Sequence, residues 1–420
     1  MKRDQIVLGD NYILSGDDVG KNRPNANALI VGISGCGKST SVILPTVARS
    51  EHSNPILNYA KEHDAYAMAQ FLKHKGYNVN ILNLVDTEKS TISFDPLMYL
   101  ACCEDIESLS SSIVDATIKR TVDDYWQAKA KPLLSALIYA SLMNEGENAD
   151  MEYVLKMFDK MIPRDNGSSV QTPLDDMFLR LKINVPDCYA AREYFNWQSL
   201  PFKTASCVRD TLAASLSTVF PEAIRKNMRE KPQLDVEKFV ADKEAVIVIT
   251  SAIEPSQHYY ANLFYRNTER ELLRYANNCP GGELPREVRY IFDDFACTAP
   301  ITGFANDISL FRAAGISAII LLQSEQQLEA IYKDEAPLIR QNCPVYVYFP
   351  GGFDDKSCEI VSKRMQLPYD EILYAPIGKI YIMQSGRKPV HVSRYDTLNS
   401  CEYHEYQAAI HENSEKGNEQ

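Results

Sequence analysis

Basic charge is in short supply. Lys and Arg number 44 against 56 Asp and Glu, for a formal net charge of −12 and a pI near 5.2. Wrapping nucleic acid on the outside of a protein needs a basic surface to neutralise phosphates. This chain is a poor candidate for that class, and a local basic channel is not excluded. Paired cysteines are also lacking. The ten cysteines contain no C-x-x-C pair, and the neighbours Cys102 and Cys103 cannot easily bridge each other. Such usage fits thiols that fill a core in a reducing compartment. Cys401, His404 and His411 do not have the spacing of zinc ligands. Long apolar runs are missing too: Ala245–Ile249 and Ala318–Leu322 have strand length, far below the ~18–20 residues of a membrane span. Met1-Lys2-Arg3 leads into Asp4 and Gln5 with no apolar stretch, so no secretory leader is expected. A cytoplasmic location is expected, with any hold on the inner face of the cell membrane supplied by a partner. No internal repeat is visible.

What remains is ordinary globular composition, 45% hydrophobic and 24% charged, over 420 residues. That length favours two domains over one. The most informative stretch is Asn27 to Thr40, NALIVGISGCGKST. Four apolar residues, Ala28 to Val31, run into Gly32-x-x-x-x-Gly37-Lys38-Ser39, the strand and phosphate loop of P-loop NTPases. Glycines at 32, 35 and 37 let the loop adopt backbone angles closed to other residues, so its N–H groups turn inward around a phosphate. The following helix adds the positive end of its dipole. The expected nucleotide-binding residues are Gly32, Ser34, Gly35, Cys36, Gly37, Lys38, Ser39 and Thr40. Lys38 reaches the β- and γ-phosphates and Ser39 ligates Mg²⁺.

Around this loop the pattern is α/β. Ile6–Leu8 and Tyr12–Leu14 predict a hairpin across Gly9-Asp10-Asn11. Pro45 sits inside the helix after Lys38 and is expected to kink or end it. Pro55–Tyr59 and Asn78–Leu84 predict strands separated by a helix from about His63 to Lys75. Strand character returns at Ala245–Thr250, Val288–Phe292, Ser317–Leu322, Val345–Phe349 and Lys379–Met383, with helices at Tyr259–Tyr275 and Gly303–Ala314. Alternation of this kind implies right-handed crossovers and a mostly parallel sheet. Between about Glu104 and Phe220 helical periodicity takes over, at Ile106–Ile118, Ala128–Met143, Met151–Met161, Asp187–Phe195 and Ser206–Phe220, with a loop at Pro163–Pro173. The expected organisation is a nucleotide-binding domain in two parts, 1–104 and 221–400, an all-alpha domain at 105–220, and a disordered acidic tail at 401–420.

A P-loop requires a second, acidic motif. Val288–Phe292 ends in Asp293-Asp294. Asp293 is placed to hold Mg²⁺ through water and Asp294 to act as general base or to position water; a polar turn after a buried strand is the alternative. Ile319–Leu322 runs into Gln323, at the carboxyl end of a strand where ligands of open α/β sheets lie. Arg312, three residues before Gly315, reads either as a helix C-terminal cation worth roughly 0.3–1 kcal/mol or as an arginine finger for a neighbouring subunit, worth ~10³-fold or more in rate. Cys36 is either a redox-sensitive thiol or a small residue that fits. Arg225, Lys226, Arg229 and Lys231 form a basic cluster, either a solvated helix end or a DNA contact. Trp126 is expected to anchor the helical core.

With these residues placed, the chain resembles the cytosolic part of type IV secretion coupling proteins, the TraG-like ATPases of conjugation within the FtsK/HerA group of hexameric motors. The likeness rests on Asn25–Thr40 with Pro45-Thr46, Lys75-Gly76-Tyr77, Ser93-Phe94-Asp95-Pro96-Leu97, Asp293-Asp294-Phe295, Arg312-Ala313-Ala314-Gly315, Gln323-Ser324, Gln327-Leu328, Tyr332 and Ile339–Cys343. It covers roughly residues 6–395. It implies a RecA-like P-loop NTPase with an inserted all-alpha domain, ATP and Mg²⁺ as cofactors, and a catalytic set of Asp294, Gln323 and Arg312, the last acting in trans. Ser39 and Asp293 would be the metal residues. It also implies a hexameric ring that moves single- or double-stranded DNA through a central pore, with relaxase or relaxosome components and membrane channel proteins as partners. Three departures stand out. Asp294 replaces the family's Glu and sets the carboxylate back by about 1 Å, a misplacement of a kind that costs rate. The family's D-P-K-G-E reads Asn58-Tyr59-Ala60-Lys61-Glu62, and the usual membrane helices are not in this sequence. A nucleotide-binding recruitment adaptor with weak or no hydrolysis and a chromosome-type DNA translocase are the alternative functions. An ABC-type ATPase is disfavoured for want of an S-G-G-Q-like signature.

Overall fold

The computed structural model describes residues 2–16, 25–116, 125–164, 171–253, 256–295, 301–352 and 354–417. Its strands are β1 (Ile6–Gly9), β2 (Tyr12–Leu14), β3 (Ala28–Gly32), β4 (Ser53–Tyr59), β5 (Asn78–Asn83), β6 (Glu244–Ile249), β7 (Glu287–Phe292), β8 (Ile316–Leu322), β9 (Val345–Phe349), β10 (Lys379–Gln384) and β11 (Val390–Ser393). The chain divides into two compact units, one of residues Met1–Thr91, Leu234–His258 and Thr268–Gln420, the other of Ile92–Gln233 and Tyr259–Asn267.

The first unit holds every strand. β1 and β2 form the expected hairpin, with Asn11 at φ 53° in its turn. The other nine make one sheet in the order β11-β10-β9-β3-β8-β7-β4-β6-β5. All pairs from β9 to β5 are parallel; β10 runs antiparallel to β9, and β11 to β10. The sequence reading missed β11, a strand of four residues too short to carry a period. Ala28–Val31 on β3 and Ile319–Leu321 on β8 are fully buried. Strands covered on both faces read as continuous apolar runs, which is why these were the clearest in the sequence.

Pro45 neither ends nor breaks the helix behind the phosphate loop. Ser39–Ile43 is a π-helical turn that passes into α-helix at Leu44–Ala48. A π turn widens the backbone by one residue, and the Leu44 N–H bonds the Ser39 carbonyl. Pro45 has no N–H to continue that pattern. The Thr40 carbonyl instead accepts the Thr397 hydroxyl at 2.9 Å.

The second unit is helical, with elements at Cys103–Ala116, Tyr125–Glu145, Met151–Asp159, Pro173–Asn184, Tyr189–Gln198, Phe202–Val219 and Glu222–Glu230. Two of these, Pro173–Asn184 and Glu222–Glu230, are absent from the sequence reading. The first has a capping box. The Thr172 hydroxyl accepts the Asp175 N–H at 3.2 Å, and the Asp175 carboxylate accepts the Thr172 N–H at 2.6 Å. Ile118, Asp123 and Asp124, and positions 165–170 of the expected loop, lie outside the described residues. Trp126 is not the core anchor: it is half-buried at a helix start against the exposed Tyr125. The anchor is Trp197, 3% exposed, whose indole donates to the Ala205 carbonyl at 3.0 Å. Asp95 of the S-F-D-P-L passage accepts the N–H groups of Leu97 and Met151 at 2.9 and 2.8 Å, while burial pushes its carboxyl up to about 6.

Of the disordered tail expected at 401–420, the described part, 401–417, is ordered, and positions 418–420 lie outside the described residues. Cys401–Gly417 is a helix. Its Tyr406 ring meets Phe71 edge-on at 5.4 Å, and Ala409 is buried. The acidic composition masked an apolar face of Tyr403, Tyr406 and Ala409, spaced for one side of a helix. Glu402 at its start accepts from Arg49 at 2.8 Å and from Tyr395 at 3.0 Å. Burial pushes the Glu402 carboxyl up, but its own backbone N–H, Arg49 and Tyr395 outweigh that and hold it at about 2. A carboxylate with a depressed folded value stabilises fully above its unfolded value and loses that contribution as pH falls toward the folded one. The melting-temperature loss from Glu402→Gln is therefore expected to be full at pH 7 and to shrink as pH falls from about 4.5 toward 2, measured by thermal denaturation of both chains across that range.

Candidate nucleotide site

The parallel register brings distant motifs to one edge of the sheet. Val31 on β3 pairs with Leu322 on β8, and Phe292 on β7 with Ile320 on β8. The phosphate loop, Asp293-Asp294 and Gln323 thus leave adjacent strands at their carboxyl ends, where α/β sheets bind ligands. They line a cleft of about 370 Å³ together with Tyr59, Lys61 and Asp64.

The loop glycines do different jobs. Gly35 and Gly37 have φ of +79° and +94°, in the left-handed region that other residues resist. Gly32 does not need that freedom. A Cβ there would lie 2.6 Å from Phe349 and 3.0 Å from the Cys36 sulfur, so Gly32 is required by close packing against β9. Ser34, Gly35 and Thr40 are exposed in the cleft. Cys36 is 6% exposed beneath the loop, and burial pushes its thiol up against the lowering pull of Lys38. Of the two readings of Cys36, this supports the filler, because a buried, protonated thiol is inert.

Lys38 is 8% exposed, and its ammonium donates to the carbonyls of Gly32 and of Ile33, the latter at 2.9 Å. The Ser39 hydroxyl donates to the Asp293 carboxylate, joining the two residues expected at the metal. Burial pushes the Asp293 carboxyl above the usual carboxylate range; Ser39 works against this and the neighbouring Asp294 adds to it. A divalent cation between a hydroxyl and a buried carboxylate offsets the cost of burial by favouring the ionised form, so the donor set fits Mg²⁺. The Gln323 amide lies 3.4 Å from the Asp294 carboxylate, and the Gln323 N–H is held at 2.8 Å by the Gln327 side chain. Gln327 thereby gains a function that its place in Gln327-Leu328 did not disclose.

Arg312 is not brought to this cleft. It lies in the last turn of the helix Phe304–Ala314, exposed, before Gly315 at φ 83°. β8 then separates it from Gln323. Seven residues at 3.3 Å each put Arg312 roughly 20 Å away, at the opposite edge of the sheet. The basic cluster resolves differently. Glu152 is buried and paired with both Arg225, at 2.9 Å, and Arg229, at 3.2 Å, which favours the structural reading over a DNA contact.

Sequence reasoning missed Asp64 and Arg394. Asp64 stands two residues past the Asn58–Glu62 passage and carried no motif. Arg394 follows β11, and its guanidinium donates to the Cys36 carbonyl at 3.3 Å across 358 positions of chain. Among the described residues no group of His, Cys, Asp and Glu is arranged to hold a metal by itself, and no helix is long and apolar enough to cross a membrane.

Solved structures share this fold. The plasmid coupling protein TrwB in complex with the non-hydrolysable ATP analogue ADPNP is 16% identical, over 94% of this chain and 89% of that one, with a TM-score of 0.65. TrwB in complex with ADP and Mg²⁺ is 16% identical over 88% and 85%, at 0.61. VirB4 of Thermoanaerobacter pseudethanolicus is 13% identical over 96% and 98%, at 0.58. The fold is therefore the RecA-like one with a helical domain. No curated protein matches the sequence significantly. Residues 2–365 match the family described as Type IV secretory system Conjugative DNA transfer, and the chain belongs to that family of conjugative coupling proteins.

Proposed function

We propose that this protein is an ATP-binding coupling ATPase that powers or gates the passage of DNA, or of a DNA-bound relaxase, into a conjugative type IV secretion channel. The observation that carries this reading is the convergence of Lys38, Ser39, Asp293, Asp294 and Gln323 on one cleft in a chain of the conjugative DNA transfer family. TrwB in complex with ADP and Mg²⁺ supports the ligand class.

Each residue has a part. The N–H groups of Gly35 to Ser39 cradle the phosphates at a helix start. Lys38 turns from the loop carbonyls to the β- and γ-phosphates, and Ser39 and Asp293 hold Mg²⁺. The cation, when bound, neutralises charge developing on the phosphate oxygens. Asp294 accepts the proton of the attacking water, and Gln323 orients that water beside it. Arg312 serves the cleft of a neighbouring copy, consistent with its distance from its own. That requires a ring, a hexamer by family likeness, working at the inner face of the membrane with relaxosome and channel partners. With a net charge of −12, contact with DNA is confined to the central pore.

Asp294→Asn keeps the shape but removes the base, and is expected to lower ATP turnover by about 10²–10⁴-fold with ADP affinity unchanged, read by phosphate release and calorimetry. Unchanged turnover would refute the role of Asp294. The shorter side chain of Asp294 favours one rival, a nucleotide-binding adaptor that does not hydrolyse; phosphate release with and without single-stranded DNA separates the two.

A further inference from the structure

The segment after β11 touches the nucleotide loop and its helix at three successive levels. Arg394 donates to the Cys36 carbonyl at 3.3 Å. Thr397 donates to the Thr40 carbonyl at 2.9 Å. Tyr395 and Glu402 hold Arg49, the residue capping the end of that helix, at 3.0 and 2.8 Å. The last two levels close polar groups that the fold itself leaves open: the Thr40 carbonyl released by Pro45, and the guanidinium of Arg49. Arg394 is different. It is exposed, and among the described residues it forms no ion pair. Its guanidinium rests on the bare face of Gly37, where a Cβ would stand 2.9 Å from Nη1. An uncompensated cation laid against a phosphate loop, braced from behind by two further contacts, is what a negatively charged ligand would recruit.

The flank from which Arg394 arrives says which part of the ligand it meets. β3 has β8 and β7 on one side and β9, β10 and β11 on the other. Asp293, Asp294 and Gln323 occupy the β7–β8 side, where the terminal phosphate and metal belong. Arg394 comes from the β11 side, over Cys36 and Gly37. We infer that Arg394 is a nucleotide-binding residue that pairs with the α- and β-phosphates on the nucleoside side of the loop. The fixed strap 395–402 sets its position. This rests on the nucleotide reading above but not on hydrolysis, and Arg394 lies beyond the family-matched residues 2–365.

The test is calorimetric titration of the full chain with Mg-ADP and with a non-hydrolysable ATP analogue. Arg394→Gln still has a donor for the Cys36 carbonyl but no charge. It is expected to weaken both ligands equally, by about tenfold or more, with the ligand-free melting temperature unchanged, while Arg394→Lys recovers most of the loss. Unaltered ADP affinity in Arg394→Gln, or a loss confined to the ATP analogue, overturns the assignment. Should the ligand-free melting temperature fall, Arg394→Lys decides: recovery of affinity supports the charge contact, and a loss equal to that of Arg394→Gln overturns it. If the unaltered chain binds neither ligand, the nucleotide reading itself fails, which is a different result.

Discussion

Replacing Lys38 by alanine is expected to abolish ATP turnover and to weaken ATP and ADP binding by at least about 100-fold. Lys38 and the exposed Lys61 are the only cations among the described residues lining the cleft, and of the two only Lys38 belongs to the phosphate loop. A hydrogen bond to a charged group contributes roughly 1.5–3 kcal/mol, and Lys38 is placed to make more than one. Fold is expected to survive, with some loss of loop order. The partners of the ammonium in the free protein are the Gly32 and Ile33 carbonyls, and β3 beneath them is fixed by ladders on both sides. Thermal denaturation of Lys38→Ala and calorimetry with Mg-ADP check both halves. Binding at wild-type strength would mean that the cleft does not hold phosphates where the loop predicts.

Removing Arg312 is expected to act on turnover alone. Arg312→Ala should lower phosphate release by about 10³-fold or more, the scale of an arginine finger, with ATP affinity close to wild type. The reason is geometric. Arg312 is roughly 20 Å from the cleft of its own chain, across the length of β8, so a direct contact with nucleotide would have to be with a neighbour's. Mixing gives a sharper readout. Lys38→Ala keeps the finger without a working loop, and Arg312→Ala keeps the loop without the finger. Mixed oligomers contain wild-type pairings of loop and finger at some interfaces, so turnover should reappear when the two are combined. A residue acting only within its own chain would give no recovery, and a helix cap would change the melting temperature instead of the rate.

How legible this was depended on how local each feature is. The phosphate loop and the apolar strands β3 and β8 carry their signal in contiguous residues, through glycine spacing and double-sided burial. Asp293-Asp294 and Gln323 were legible because strands in a parallel sheet deliver their carboxyl ends to one edge. The rest is tertiary. Nothing near Arg394 in sequence indicates that it lies on Gly37. The role of Thr397 exists only because Pro45 frees a carbonyl in a π turn. Gly32 looked like a conformational glycine and is a packing one, a distinction set by Phe349 on another strand. Composition misled at the C-terminus, where charge hid one apolar helical face, and at Trp126, where residue type suggested burial that Trp197 provides.

Several copies of this chain are expected to complete one another's ATP-hydrolysing sites. Phosphate release per chain, measured with Mg-ATP and single-stranded DNA across a range of protein concentration, reads this out. Turnover is expected to rise steeply as copies assemble and then to level off. Absence of turnover at every concentration, with Asp294→Glu restoring it, would rule out a shared hydrolytic site and identify a nucleotide-binding adaptor instead.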